Sequence, residues 1–235
     1  MGRAAAVLAL AVGLIAWYEV APSLDEWSLW PSILLIVLVL MPATFLPLYI
    51  GLPLARRPRL IFPSIGFILL AVVLWQLDLP VESNICKVAG YTLFGWWFLQ
   101  LFAELSWVVL VAALIPWVDA YSVWRGPTNE ITENHGEVFD AVSVAFVVPG
   151  GGAAQLGPPD VVFMALFVAA ADRFALRPFW TWVGVLTGLG LTMICTVWWD
   201  LNGLPALPGI ALGFLIPNAD LLWHRLRPAR EQAAS

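Results

Sequence analysis

Charge is scarce in this chain. Charged residues make up 11% of its 235 positions and hydrophobic residues 61%, where a soluble domain carries about 25% and about 45–50%. That imbalance excludes a water-soluble globule and makes lipid the solvent. The few lysines and arginines form no dense basic patch, and the net charge is −5, so nucleic acid is not an expected partner. Cysteine is nearly absent. Cys86 and Cys195 are too few and too far apart for a disulfide framework or a thiolate metal site, and read as buried thiols. The two histidines, His135 and His224, stand alone without HExxH or other ligand spacing, which argues against a metalloprotease. Gly150, Gly151 and Gly152 belong to no phosphate-binding motif, and no buried Ser/His pairing marks a serine nucleophile. The sequence therefore calls for no cofactor and no metal.

Long apolar runs are abundant. A spanning helix needs about 20 mostly apolar residues, and candidate spans lie at 4–20, 29–50, 60–78, 160–178, 181–199 and 204–222. A further apolar stretch from Val88 to Trp124 would form a helix of roughly 55 Å, too long for a hydrocarbon core of about 30 Å. It divides near Phe102–Leu105, where Glu104 marks an interhelical turn. The expectation is an all-α polytopic bundle of about eight to nine spans in a single domain, 1–235. N-terminal helices fill 1–102, a second group fills 103–222 around a polar loop at 125–159, and a polar tail covers 223–235. The run after Arg3 resembles a signal peptide, but "YEVAPSLDEW" offers little cleavage character and more spans follow, so it reads as a retained first span. The 14 Trp suit membrane interfaces, where Trp96–Trp97 and Trp198–Trp199 would pack or anchor.

Basic groups at Arg3, at Arg56, Arg57 and Arg59, at Arg173 and Arg177, and at Arg225, Arg227 and Arg230 fall on one side of an eight-span arrangement. The positive-inside rule makes that side cytoplasmic and places both termini there. Lys87 and Arg125 are the exceptions. Asp172 with Arg173, and Asp220 with His224, read as pairs at helix ends. Within the polar loop, "VFDAVSVAFVVP" is β-branched enough for a short strand, and "GGGAAQLGPP" reads as flexible backbone.

An ionisable side chain inside a membrane is expensive and is a functional candidate by default. Asp119, in "LIPWVDAYSVWR", sits roughly 9 Å along a helix from the charged end at Arg125. Asp160 opens the next span in "QLGPPDVVF". Taken singly, Asp119 reads as an interfacial residue and Asp160 as a first-turn carboxylate at a helix N-terminus. Because one loop joins their spans, both carboxylates must lie near the same membrane face. The last span begins on that face with "GLPALPG". Paired carboxylates titrate as a unit and can activate water against a peptide carbonyl.

These segments resemble the presenilin and signal peptide peptidase family of intramembrane aspartyl proteases over about residues 103–222. "VDAYSVWRGPTNEITENHGE" is similar to the segment bearing the first catalytic aspartate, "LGPPD" occupies the place of the GxGD motif, and "PAL" stands intact as Pro205, Ala206 and Leu207. The resemblance implies a nine-helix fold, catalysis by Asp119 and Asp160, and cleavage of transmembrane segments or remnant signal peptides. It further implies substrate contacts at Gly157, Pro205, Ala206 and Leu207. It also implies strand addition of an unwound substrate, with Val142–Val148 as template and Val144 and Phe146 within it. The implied partners are a transmembrane-helix substrate and the bilayer, and the compact length points to a prokaryotic plasma membrane. Two departures stand out: Val118 replaces a usual tyrosine, and Pro159 replaces the second glycine of GxGD, removing an amide donor beside Asp160. They define the main alternative, a catalytically silent homologue that binds membrane helices. A proton-coupled transporter is a further alternative, although no paired broken helices in two related halves are visible. A prepilin-type peptidase is disfavoured by the intact "PALP".

Overall fold

The computed structural model describes residues 2–125, 136–201 and 204–226. Much of the sequence "RGPTNEITENHGE", His135, Arg227 and Arg230 lie outside the described residues. Helix accounts for 79% of the structure, and four helices are long and apolar enough to cross a membrane: Gly2–Ser23, Leu29–Ile50, Leu105–Val123 and Pro178–Trp198. The protein is thus an all-α membrane protein with one small hairpin.

In chain order the elements are α1 (Gly2–Val20), α2 (Leu29–Ile50), α3 (Ile61–Gln76), α4 (Pro80–Leu99), α5 (Leu105–Arg125), the short α6 (Gly136–Val142), β1 (Val144–Val147), β2 (Ala153–Leu156), α7 (Pro158–Arg173), α8 (Pro178–Trp198), α9 (Leu207–Leu215) and α10 (Ala219–Leu226). Proline shapes several of them. In α2 the Met41 amide bonds back to Ile36, a π-type turn over Ile36–Leu40 just before Pro42. A proline there has no N–H for the carbonyl four residues earlier, and the widened turn absorbs that loss. Pro80, Pro158 and Pro178 each sit in the first turn of a helix, where the missing N–H would be unpaired anyway.

The expected division of the Val88–Trp124 stretch occurs at residues 100–104, and Glu104 there accepts a bond from Ser106 Oγ at 3.1 Å. The helix before it, however, begins at Pro80, eight residues earlier than the apolar run. Counting apolar residues missed this start because α4 turns its polar side chains inward. Ser83, Asn84, Lys87 and Thr92 are all buried. Ser83 Oγ bonds the Ala71 carbonyl at 2.8 Å and Ser64 Oγ bonds the Gly90 carbonyl at 2.9 Å, tying α3 to α4 as hydroxyls do between helices in lipid.

Helix α7 is the centre of the bundle. From Met164 to Ala171 every side chain is buried, so the helix is apolar all round and is enclosed by protein. α4, α8 and α9 pack around it, and α5 touches it. At 16 residues it spans about 24 Å. α1 packs on α2 and α4 and is integral to the bundle.

At the arginine-bearing end, the ion pairs differ from those expected. Asp172 pairs with Arg56 at 2.9 Å and Asp220 with Arg177 at 2.7 Å. Arg173 instead donates to the Leu99 carbonyl. Adjacent residues on a helix point in different directions, so Asp172 turns away from Arg173. Both carboxylates find their cations in loops between helices, Arg56 after α2 and Arg177 just before α8. Trp198 and Trp199 are 70% and 62% exposed, with Trp198 edge-on to Trp30, whereas Trp96 is buried. The first pair suits an interface anchor, and Trp96 packs in the core.

Candidate active site

Three helix ends converge on two carboxyl groups. Asp119 stands on the C-terminal part of α5, Asp160 in the first turn of α7, and both are half-buried. α9 packs against both α5 and α7. A helix N-terminus leaves its first amides without intrahelical partners. At the start of α9, the Leu207 N–H donates to Asp119 Oδ2 at 2.9 Å, with the Ala206 amide next to it in the chain. Pro208 follows and has no donor to add. The Pro205–Ala206–Leu207 segment therefore meets Asp119 through its backbone, while the Pro205 and Leu207 side chains are buried in packing.

Asp160 lies close enough to Asp119 for the charge of one to act on the other. Its own amide bonds the Gly157 carbonyl at 3.2 Å. Gly157 has ordinary extended angles, φ −66° and ψ 153°, which any residue adopts. A Cβ there would stand 3.3 Å from Asp160 Oδ2, a tight contact that would press on the carboxyl. Pro158 and Pro159 open α7 as helix-starting prolines, so the GPPD sequence is accommodated by placing both at positions that require no amide donor.

α8 holds α9 in place through glycine. A Cβ at Gly188 would meet the Gly209 carbonyl oxygen at 2.1 Å, and one at Gly184 would meet that of Gly213 at 2.5 Å. The two backbones are in direct contact, the close approach that small-xxx-small patterns permit. A groove of about 540 Å³ runs along this pair and reaches Leu204 and Pro205, but neither aspartate lines it.

The segment before Asp160 is an antiparallel hairpin, with Val144 opposite Leu156 and Val147 opposite Ala153. Strand β1 falls inside the β-branched stretch singled out from sequence. The glycine-rich segment expected to be flexible is instead a turn with Gly150 and Gly151 at φ 87° and 83°, followed by strand β2. The expected template at Val142–Val148 requires correction. Val144 and Phe146 are 0% and 1% exposed, and Phe146 packs edge-on to Phe45. The outer edge of β1 is already occupied. Asn84 bonds both the N–H and C=O of Ala145, Tyr18 Oη donates to the same carbonyl, and Trp17 Nε1 donates to Val147. Main-chain groups alternate in direction along a strand, and Val148 N–H bonds the Gly152 carbonyl across the turn. The main-chain groups of Ala153 and Gln155 therefore face away from β1, and among the described residues the β2 edge of this two-stranded sheet is open.

The structure thus brings together Asp119, Asp160, Gly157, Pro205, Ala206 and Leu207, and withdraws the Val144 and Phe146 side chains into the core. Sequence reasoning missed Trp17, Tyr18, Asn84, Lys87 and Tyr91, which hold the hairpin. Their one legible signal was the spacing of 84, 87 and 91, which places three polar side chains on one helical face. Compared with known protein families and with curated proteins, the chain matches none.

Proposed function

We propose that this protein is an intramembrane aspartyl protease, hydrolysing peptide bonds within transmembrane segments or remnant signal peptides. The observation that carries the reading is the meeting of Asp119 and Asp160 beside the amides of Ala206 and Leu207. Three segments distant in sequence, each with one element of a presenilin-like signature, converge on one place. A carboxyl pair close enough to interact would share its protonation. One can take a proton from water as it attacks the peptide carbonyl while the other protonates the leaving amine. The open edge at Ala153 and Gln155, just ahead of Asp160, would present an unwound substrate as an added strand. Peptide hydrolysis needs an extended bond, and a helix would shield it.

On this reading the long helical segments form eight membrane spans, one fewer than the nine of the resembled family. The arginine-bearing end then faces the cytoplasm of a prokaryotic cell and the dyad opens toward the outer face. The test is cleavage of a model transmembrane peptide by purified protein in liposomes. Wild type should yield product and Asp160→Asn none, with both proteins equally folded. Product from both would remove the dyad from the mechanism.

A second reading is favoured by one observation. Asp119 is engaged by the first amides of α9 as an N-terminal cap would be, so the residue could serve architecture alone. A catalytically silent protein that binds membrane helices would then retain peptide binding in liposomes with no product from wild type.

A further inference from the structure

The polar face of α4 is costly and unexplained by packing alone. Asn84 and Lys87 are 5% and 4% exposed, and among the described residues Lys87 is bonded to no carboxylate. Its ammonium donates to the carbonyls of Asp140 at 3.2 Å and Ser143 at 3.0 Å, and lies 4.7 Å from the Trp75 ring centroid. Burying an ammonium among helices costs stability that a methionine of similar length would not. The structure shows what it holds. Lys87 and Tyr91 together bind the carbonyls at the C-terminal end of α6, with Tyr91 Oη to Val142 at 2.7 Å. One turn earlier, Asn84 donates to the Ala145 carbonyl at 2.9 Å and accepts its N–H at 2.8 Å. This is the two-point pairing that a residue of a neighbouring strand would make. The α4 face acts as a side-chain substitute for a third strand along residues 140–145.

The hairpin so held is coupled to Asp160 by a short, stiff path. β2 ends at Leu156, and only Gly157, Pro158 and Pro159 separate it from Asp160. Each proline fixes its own φ, so a displaced hairpin carries Asp160 with it. The same anchoring closes the β1 edge and, among the described residues, leaves the β2 edge free. Gln155 adds a cross-tie within the loop, accepting from Ser143 Oγ and donating to Asp140 Oδ1 at 2.6 Å.

We propose that Asn84 and Lys87 are positioning residues, fixing the hairpin against α4 and thereby setting both the place of Asp160 and the register in which a substrate strand meets it. The proposal rests on the protease reading for its catalytic consequence, but not for the latch itself. Two readouts separate these. Amide exchange in Asn84→Leu should rise selectively at Ala145, while Phe146, bonded within the hairpin, stays protected. In the liposome assay, Asn84→Leu and Lys87→Met should lower kcat by about 100-fold, as expected for a shift of about 1 Å at a reacting centre. KM should stay near wild type, and cleavage should spread to neighbouring peptide bonds. Lys87→Arg, which keeps a donor to both carbonyls, should restore a single cleavage position. A merely structural role would lower activity in step with the folded fraction and leave the cleavage position unchanged, and that result overturns the proposal. Unchanged exchange at Ala145 in Asn84→Leu also overturns it. If Asn84→Leu fails to fold, the Lys87→Met and Lys87→Arg comparison decides by the same criteria. If wild type cleaves nothing, the protease reading fails, and exchange at Ala145 and at the Asp160 amide held by Gly157 decides the latch alone.

Discussion

At the scale of single residues, the site is defined by what approaches each carboxyl. Asp119 receives backbone amides, which remain whatever side chains occupy the Pro205–Leu207 segment, so their identity acts through backbone placement and packing. Asp160 depends on the absence of a side chain at Gly157. Gly157→Ala would set a methyl 3.3 Å from Asp160 Oδ2 without straining the backbone, because φ there is −66°. Thermal stability in detergent should stay close to wild type while kcat falls by about tenfold, the scale of a small misplacement in a reacting pair. Equal kcat in the two proteins would show that the carboxyl does not use the space the glycine leaves. Val118 is 60% exposed, so its side chain is not part of the packing around either carboxyl.

At the scale of elements, the position of α9 decides whether its first amides reach Asp119. That position is set by α8, against which α9 packs backbone to backbone at Gly184, Gly188, Gly209 and Gly213. Gly188→Ala places a Cβ 2.1 Å from a carbonyl oxygen on the facing helix, and a backbone cannot swing aside as a side chain can. The helices must separate, at a cost of about 1–3 kcal/mol typical of overpacking. A lowered unfolding temperature together with lost cleavage is expected from a detergent melt and the liposome assay. Gly66, which has open space around it within α3, provides the control: Gly66→Ala should lower neither measurement, since alanine favours a helix interior. The hairpin obeys the same logic, since its outer edge is closed by side chains of α1 and α4 and the strand itself does not close it.

At the scale of the whole molecule, the arginines and the aromatic rings bear on the orientation proposed for the bundle. Arg56 and Arg177 pair with acids at one end, while Trp30, Trp198 and Trp199 lie exposed elsewhere on the surface. On the eight-span reading, Glu19→Cys and Arg57→Cys lie on opposite faces, and both native side chains are exposed. A membrane-impermeant maleimide applied to intact cells should label the first and spare the second until the membrane is opened. Labelling of both from one side would refute the eight-span arrangement. Lys87, an exception to the charge pattern, falls out of this accounting altogether: it is buried in the bundle, where its charge says nothing about which face is inside.

The sequence by itself determined the apolar solvent, the helical class and the division of the long apolar stretch near Glu104. Each of these follows from short-range quantities: apolar content, run length, the punctuation of proline and glycine, and the rarity of charge in apolar segments. Connectivity alone placed Asp119 and Asp160 near one face. Only the tertiary structure decided the start of α4 at Pro80, because a polar residue buried against another helix looks, in one dimension, like the end of a span. It decided the partners of Asp172 and Asp220, which lie in loops distant in sequence. It also decided which strand edge is open, since Asn84 and Tyr18 stand 61 and 127 residues from Ala145, and no local pattern records which side chain will complete a distant strand.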